Sequence, residues 1–89
     1  MAYHVTFSPR ARRELGNLPR AVQVRIKPRI DALADEPRPP GVKKLSGESE
    51  LYRIRVGDYR VLYAIEDEEL VVLVVSVADR KEAYRRGLP

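Results

Sequence analysis

Fifteen residues, Leu51 to Ile65, constrain this chain more than any other stretch: LYRIRVGDYRVLYAI. Apolar and polar residues alternate on either side of Gly57-Asp58, and two such runs around a Gly-Asp pair signal a β-hairpin with a two-residue loop. The predicted strands are Tyr52 to Val56 and Tyr59 to Ile65. Side chains alternate across a strand, so Tyr52, Ile54 and Val56 share one face with Tyr59, Val61, Tyr63 and Ile65. The other face takes Arg53, Arg55, Arg60, Leu62 and Ala64. Closing the hairpin at Gly57-Asp58 pairs Val56 with Tyr59 and sets Arg55 opposite Arg60. Cross-strand partners point to the same side. Three arginines therefore gather on one sheet face, an arrangement that is costly unless an anion sits against it.

The rest of the chain supplies what covers such a hairpin. Tyr3 to Phe7 alternates and is rich in β-formers, so it reads as a first strand. Ser8-Pro9 follows as a helix N-cap with proline at the first helical position. Ala11, Leu15 and Leu18 have helical spacing, and this first helix ends around Gly16-Asn17. Pro19 opens a second helix, in which Val22, Ile26, Ile30 and Leu33 form an apolar stripe. Pro28 lies inside it and removes the backbone bond to Val24. The stripe stays in phase across Pro28, which predicts one kinked helix rather than two.

Glu36 to Gly41, EPRPPG, stops the helix and forms a loop. Val42 to Leu45 has the makings of a strand, Ser46-Gly47 a turn, and the hairpin follows. Glu66 to Glu68 read as an acidic, solvated turn, and Leu70 to Val77 as a last, central strand apolar on both faces. Asp79 to Arg86 reads as a short basic helix or tail. The predicted fold is α+β, in the order β-α-α-β-β-β. Two N-terminal helices lie on one face of a largely antiparallel four-stranded sheet, and a short basic tail closes the chain. With 89 residues, the whole of 1–89 is one domain.

Composition narrows the chemistry. There are no cysteines, which excludes a disulfide framework and cysteine-based zinc sites. The one histidine, His4, stands in the first strand without a set of metal ligands around it. No glycine-rich phosphate loop occurs, and Ser46, Ser49 and Ser76 have no histidine base for a nucleophilic triad. No cofactor or metal is expected. The longest apolar run, Leu70 to Val75, is too short to span a bilayer, and the N-terminus lacks the apolar region of a secretory signal. A cytoplasmic protein with no membrane contact is the expectation.

Charge is segregated as well as positive, at +4 with a pI near 9.7. Arg10, Arg12, Arg13, Arg20, Arg25, Lys27 and Arg29 face only Glu14 in the first third of the chain, and the end carries Arg80, Lys81, Arg85 and Arg86 around Tyr84. Guanidinium forks match phosphate oxygens, and tyrosine offers a flat face to an unstacked base. The basic-aromatic set suits single-stranded RNA better than a duplex groove. A basic sheet face can equally be solvated, with arginine stems covering apolar surface.

LYRIRVGDYRVLYAI followed by VVLVVSVADRKEAYRR closely resembles the RelE/ParE superfamily of toxins from toxin–antitoxin pairs. The opening YHVTFSPRARRELGNLP and the loop EPRPPGVKKLSGESELYRIR resemble it too, so the likeness spans essentially the whole chain. It implies the β-α-α-β-β-β order, and for the RelE branch a ribosome-dependent endoribonuclease that cuts mRNA in the decoding site. The reaction so implied is metal-free attack by the RNA's own 2′-OH. Catalytic positions carried over by the resemblance are Arg53 and Arg55, where relatives often have lysine, with Arg60 on the scissile phosphate, Arg80 at the leaving group and Tyr84 stacked on a base. Lys43, Lys44, Lys81, Arg85 and Arg86 are the expected supporting RNA contacts.

The implied partners are mRNA, the ribosome and a RelB-like antitoxin, partly disordered until bound. Operator DNA is reached only through that antitoxin. Two departures stand out. Arginine is not deprotonated at neutral pH, so Arg55 cannot replace a lysine base. Asp79 precedes Arg80 where many relatives have histidine. The alternatives are a ParE-like inhibitor of DNA gyrase without nuclease activity, and a degenerate toxin confined to antitoxin binding and autoregulation.

Overall fold

The computed structural model describes residues 2–45 and 51–79. Strand β1 (His4–Phe7) leads into helices α1 (Pro9–Gly16) and α2 (Arg20–Asp31), and a single 3-10 turn, Ala32–Ala34, extends α2. Four strands follow: β2 (Lys43–Lys44), β3 (Leu51–Val56), β4 (Tyr59–Glu66) and β5 (Val71–Asp79). They form one sheet in the order β1-β5-β4-β3-β2, parallel between β1 and β5 and antiparallel elsewhere. The α+β class is as expected, with one strand more. The strand beyond the expected four is the short β2, which falls inside the Val42 to Leu45 stretch that has the makings of a strand. Its lysines pair with Arg53 and Tyr52 at the sheet edge. Charged side chains on so short a strand discourage further edge pairing.

Each helix begins and ends where its local chemistry dictates. The Ser8 hydroxyl accepts from the Ala11 N–H at 3.0 Å and Pro9 occupies the first turn of α1. α2 runs unbroken through Pro28. Val24, whose carbonyl loses its donor to the proline ring, is 62% exposed, so the missing bond falls on the solvent side. Ile26, Ile30 and Leu33 are buried and Val22 is half-buried, as the stripe predicts. They pack on Tyr52, Ile54, Val56, Val61, Tyr63, Ile65, Val72, Val74 and Val77. Ala11 is fully buried, and its small side chain lets α1 lie close to β5.

Two turns set the sheet. Gly57 has φ +61° and Asp58 has a negative φ, the sign pattern of a type II′ hairpin turn. Pro39-Pro40-Gly41-Val42 makes a type II turn, with Gly41 at φ +86° and the Val42 N–H donating to the Pro39 carbonyl at 3.1 Å. The last strand starts one residue later than expected. Leu70 takes a left-handed φ of +54° at the end of the acidic turn and is 46% exposed, so β5 begins at Val71. It extends to Asp79 and so absorbs a residue assigned to the tail. A register shift at Leu62/Tyr63, where the β5 partners jump from Ser76 to Val74, leaves Val75 as the bulged residue.

β5 outruns β1 by five residues, Phe7 being paired with Val74. Helix α1 closes that open edge. The Ser8 N–H donates to the Val74 carbonyl at 2.8 Å and its hydroxyl to the Val75 carbonyl at 3.1 Å. Glu14 Oε1 then accepts from the Ser76 hydroxyl and the Val77 N–H, both at 3.0 Å. The one acidic residue among the N-terminal cations thus serves the sheet through Oε1, while its Oε2 accepts from Arg10 Nε at 3.4 Å.

Candidate functional site

The β3–β4 register sets Val56 opposite Tyr59, Arg55 opposite Arg60 and Arg53 opposite Leu62. The helix-facing side carries the core, so the arginines project from the opposite face, as the alternation requires. They do not present themselves equally. Arg55 is exposed, Arg53 half-buried and Arg60 only 4% exposed. Arg53 and Arg60 both have interaction partners within the chain. Arg55 is thus the most accessible of the three.

The edge strand divides the two lysines expected to help. Lys43 pairs with Arg53, and cross-strand partners share a side, so Lys43 joins the arginine face. Lys44 pairs with Tyr52 and sets its ammonium 6.0 Å from the centre of that ring. Lys44 therefore lies on the Tyr52 side of the edge strand and is itself exposed. Arg60 pairs with Ala78 and Tyr59 with Asp79, so the chain leaves β5 directly beside the arginine hairpin. Arg80, Lys81, Tyr84, Arg85 and Arg86 lie outside the described residues.

A groove of about 470 Å³ opens where α2 approaches the β2–β3 edge. Lys43, Arg53 and Arg55 line it together with Arg29 from the last turn of α2 and the Pro40-Gly41-Val42 turn. Helical spacing places Arg29 simply beside Ile30 and gives no hint of its position at this groove. Only the approach of α2 to β3 brings it to the groove.

The wall of this groove is tied to the rest of the sheet by a polar chain. Arg38 forms a two-point contact with Asp67, at 3.2 and 2.9 Å, and its Nε donates to the Tyr52 hydroxyl at 3.2 Å. Its guanidinium also lies 5.1 Å from the Tyr52 ring centre. The Tyr3 hydroxyl donates to Asp67 Oδ1 at 2.7 Å. Hydrogen bonds from Arg38 and then Tyr3 hold the Asp67 carboxyl below its ordinary value, and the bond to Asp67 pushes the Tyr3 phenol up. The turn expected to be merely solvated thus anchors the loop that precedes β2. Tyr63 adds a second anchor: it stacks on Tyr52 with ring centres 6.0 Å apart and donates to the Pro37 carbonyl at 2.7 Å. Burial pushes its phenol upward, so it remains a donor.

Chemically, the assembled face can grip and neutralise anions. Guanidinium groups donate to phosphate oxygens and stabilise charge that develops on them, but take up no proton at neutral pH. Among the described residues, no group of three or more His, Asp or Glu side chains is arranged to hold a metal ion. No helix among them is long and apolar enough to cross a membrane.

Residues 5–84 match the family model of the ParE toxin of the type II toxin–antitoxin system parDE. The mRNA interferase toxin RelE of Escherichia coli is 33% identical over 92 residues, covering 99% of this chain and 96% of the relative. Toxin RelG of Mycobacterium tuberculosis is 34% identical, covering 97% of this chain and all of that one. In the archaeal RelE–RelB complex of Pyrococcus horikoshii, a chain 34% identical superposes with a TM-score of 0.79, covering 90% of this chain and 97% of its own.

Proposed function

The chain belongs to the RelE/ParE superfamily of toxins of type II toxin–antitoxin systems, and from that premise we propose that it is a ribosome-dependent endoribonuclease held inactive by a RelB-like antitoxin. The observation that carries this reading is the convergence of Arg53, Arg55 and Arg60, joined by Lys43, on the side of the sheet away from the helices. The name of the E. coli relative, an mRNA interferase, supports the reaction type. Complexes of relatives with RelB support the partner.

In this mechanism the 2′-oxygen of the message forms a bond to the adjacent phosphorus and the P–O5′ bond breaks. The products are a 2′,3′-cyclic phosphate and a 5′-hydroxyl. Arg55 and Arg53 hold the phosphate, Arg60 stabilises its growing negative charge, Arg80 serves the departing 5′-oxygen and Tyr84 stacks on a neighbouring base. The 2′-OH proton leaves to a group other than these arginines. Catalysis of this kind rests on positioning and charge stabilisation, with the ribosome presenting the message in an extended form.

Primer extension on ribosomes translating a defined message is the test. Wild type gives new 5′ ends at decoding-site codons, and Arg55→Ala or Arg60→Ala loses them by about 10²-fold or more. Arg60 is buried, so circular dichroism of Arg60→Ala must match wild type for its loss to count. An intact message with folded wild-type protein on actively translating ribosomes would defeat the proposal. The match to a ParE family model favours one second reading, inhibition of DNA gyrase. A supercoiling assay separates the two: gyrase blocked with message intact supports the ParE-type action.

A further inference from the structure

We propose that the groove between α2 and the β2–β3 edge binds the backbone of single-stranded RNA beside the cleavage point, with Arg29 as its phosphate-binding residue. The inference rests on the ribonuclease reading and extends that site around the sheet edge onto a helix.

The lining carries four cationic side chains, Arg29, Lys43, Arg53 and Arg55, and no carboxylate among the described residues. Its volume, about 470 Å³, falls within the range of roughly 300–1,000 Å³ that accommodates small ligands. Apolar side chains are few in the lining. Of its hydrophobic residues Ile54 is 2% exposed and Val42 half-buried, and the remaining wall is Pro40-Gly41. A protein segment gains affinity from buried anchors in pockets, whereas a nucleic-acid backbone needs donors and positive charge. The lining matches the backbone.

Main-chain geometry adds a donor. The Leu45 N–H donates to the Leu51 carbonyl at 2.9 Å, so by alternation Arg53 and Arg55 direct their backbone groups to the same side as Leu51. β2 begins at Lys43, opposite Arg53, and its pairing does not reach Arg55. The Arg55 N–H therefore points to the open edge of β3 beside the groove. Arg53 and Arg55 line the groove and also belong to the arginine face, so the two surfaces share these residues along β3. The turn at Pro39–Val42 fixes the outer wall, and Arg29 occupies the last turn of α2, where the helix dipole favours a cation.

The test is fluorescence anisotropy with a short oligoribonucleotide carrying 2′-deoxy substitutions, which binds without being cut. Arg29→Ala weakens binding about tenfold at low salt and lowers the salt-dependence slope by about 0.7, the loss expected for one single-strand phosphate contact. Arg29→Lys recovers most of the affinity. Lys27→Ala, on the same helix but away from the groove, leaves both quantities unchanged. Arg29→Ala binding like wild type would overturn the inference. So would an oligoglutamate of equal charge that binds more tightly than the oligonucleotide and loses its grip in Arg29→Ala, because the groove would then be a peptide site. In the ribosome assay, Arg29→Ala raises KM and leaves kcat intact. Wild-type cleavage with no effect of Arg29→Ala on KM or binding defeats the groove alone. No cleavage by wild type, with Arg29-dependent oligonucleotide binding intact, defeats the ribonuclease reading and leaves the groove standing.

Discussion

Gly57 shows how one residue can serve both backbone and surface. Its φ of +61° is a conformation that L-residues adopt at a cost of about 1–2 kcal/mol. A methyl group there would also stand 2.9 Å from Nη2 of Arg25, whose guanidinium lies against the turn. Gly57→Ala should therefore lower stability by about 1–2 kcal/mol in urea denaturation. The Arg25 contact is with the far end of a flexible side chain, which can yield, so the backbone is the larger source of the cost. Adding Arg25→Ala to Gly57→Ala should return only a small part of the loss. Recovery of nearly all of it would show that crowding, rather than φ, governs this position. Arg60 makes a different point at the same scale. Alternation along β4 shows which way Arg60 points, but no local pattern announces that it is 4% exposed. That depends on what packs over the strand.

Among the elements, the hairpin was the most legible, because the turn chemistry of Gly57-Asp58 settles the register of every pair from Val56–Tyr59 to Leu51–Ala64. The α2 stripe was equally plain and carried the helix across Pro28. Local pattern could not show that β1 pairs in parallel with β5, since a strand's own residues do not identify a distant partner. The division of Lys43 from Lys44 also needed the β2–β3 register. Nor did the loop and the acidic turn reveal their mutual contact, Arg38 with Asp67, which depends on the fold bringing separated turns together.

That contact makes stability pH-dependent in two directions. Asp67 is held below its unfolded value of about 3.9, so its contribution is full above that value and is lost as pH falls through the folded one. Tyr3 is raised above its unfolded value of about 10, so its contribution is full below that value and is lost as pH rises through the folded one. Both groups are exposed and screened, and each effect is small. Asp67→Asn should flatten part of the acid limb of a stability–pH curve, and Tyr3→Phe part of the alkaline limb. Superimposable curves for wild type and both variants would refute the coupling.

At the scale of the whole molecule, one modest core between two helices and the sheet supports a surface of high positive charge. A chain of 89 residues buries a smaller share of its surface than a larger domain does, and the cations repel one another across the compact state. Such a protein has much to gain from a partner that binds only the folded form. An antitoxin segment, acidic and apolar and ordered on contact, would relieve the charge and add buried area together. At free antitoxin a hundredfold above Kd, linkage adds about 2.7 kcal/mol. For a domain this small, each kcal/mol raises Tm by about 4–8 °C, so the complex should melt roughly 10–20 °C above the free toxin. Thermal denaturation across an antitoxin titration measures this, with the midpoint climbing as the logarithm of concentration once the toxin is saturated. A midpoint that ignores the antitoxin would sever the proposed partnership, while leaving the arginine face of β3 and β4 to be judged on its own chemistry.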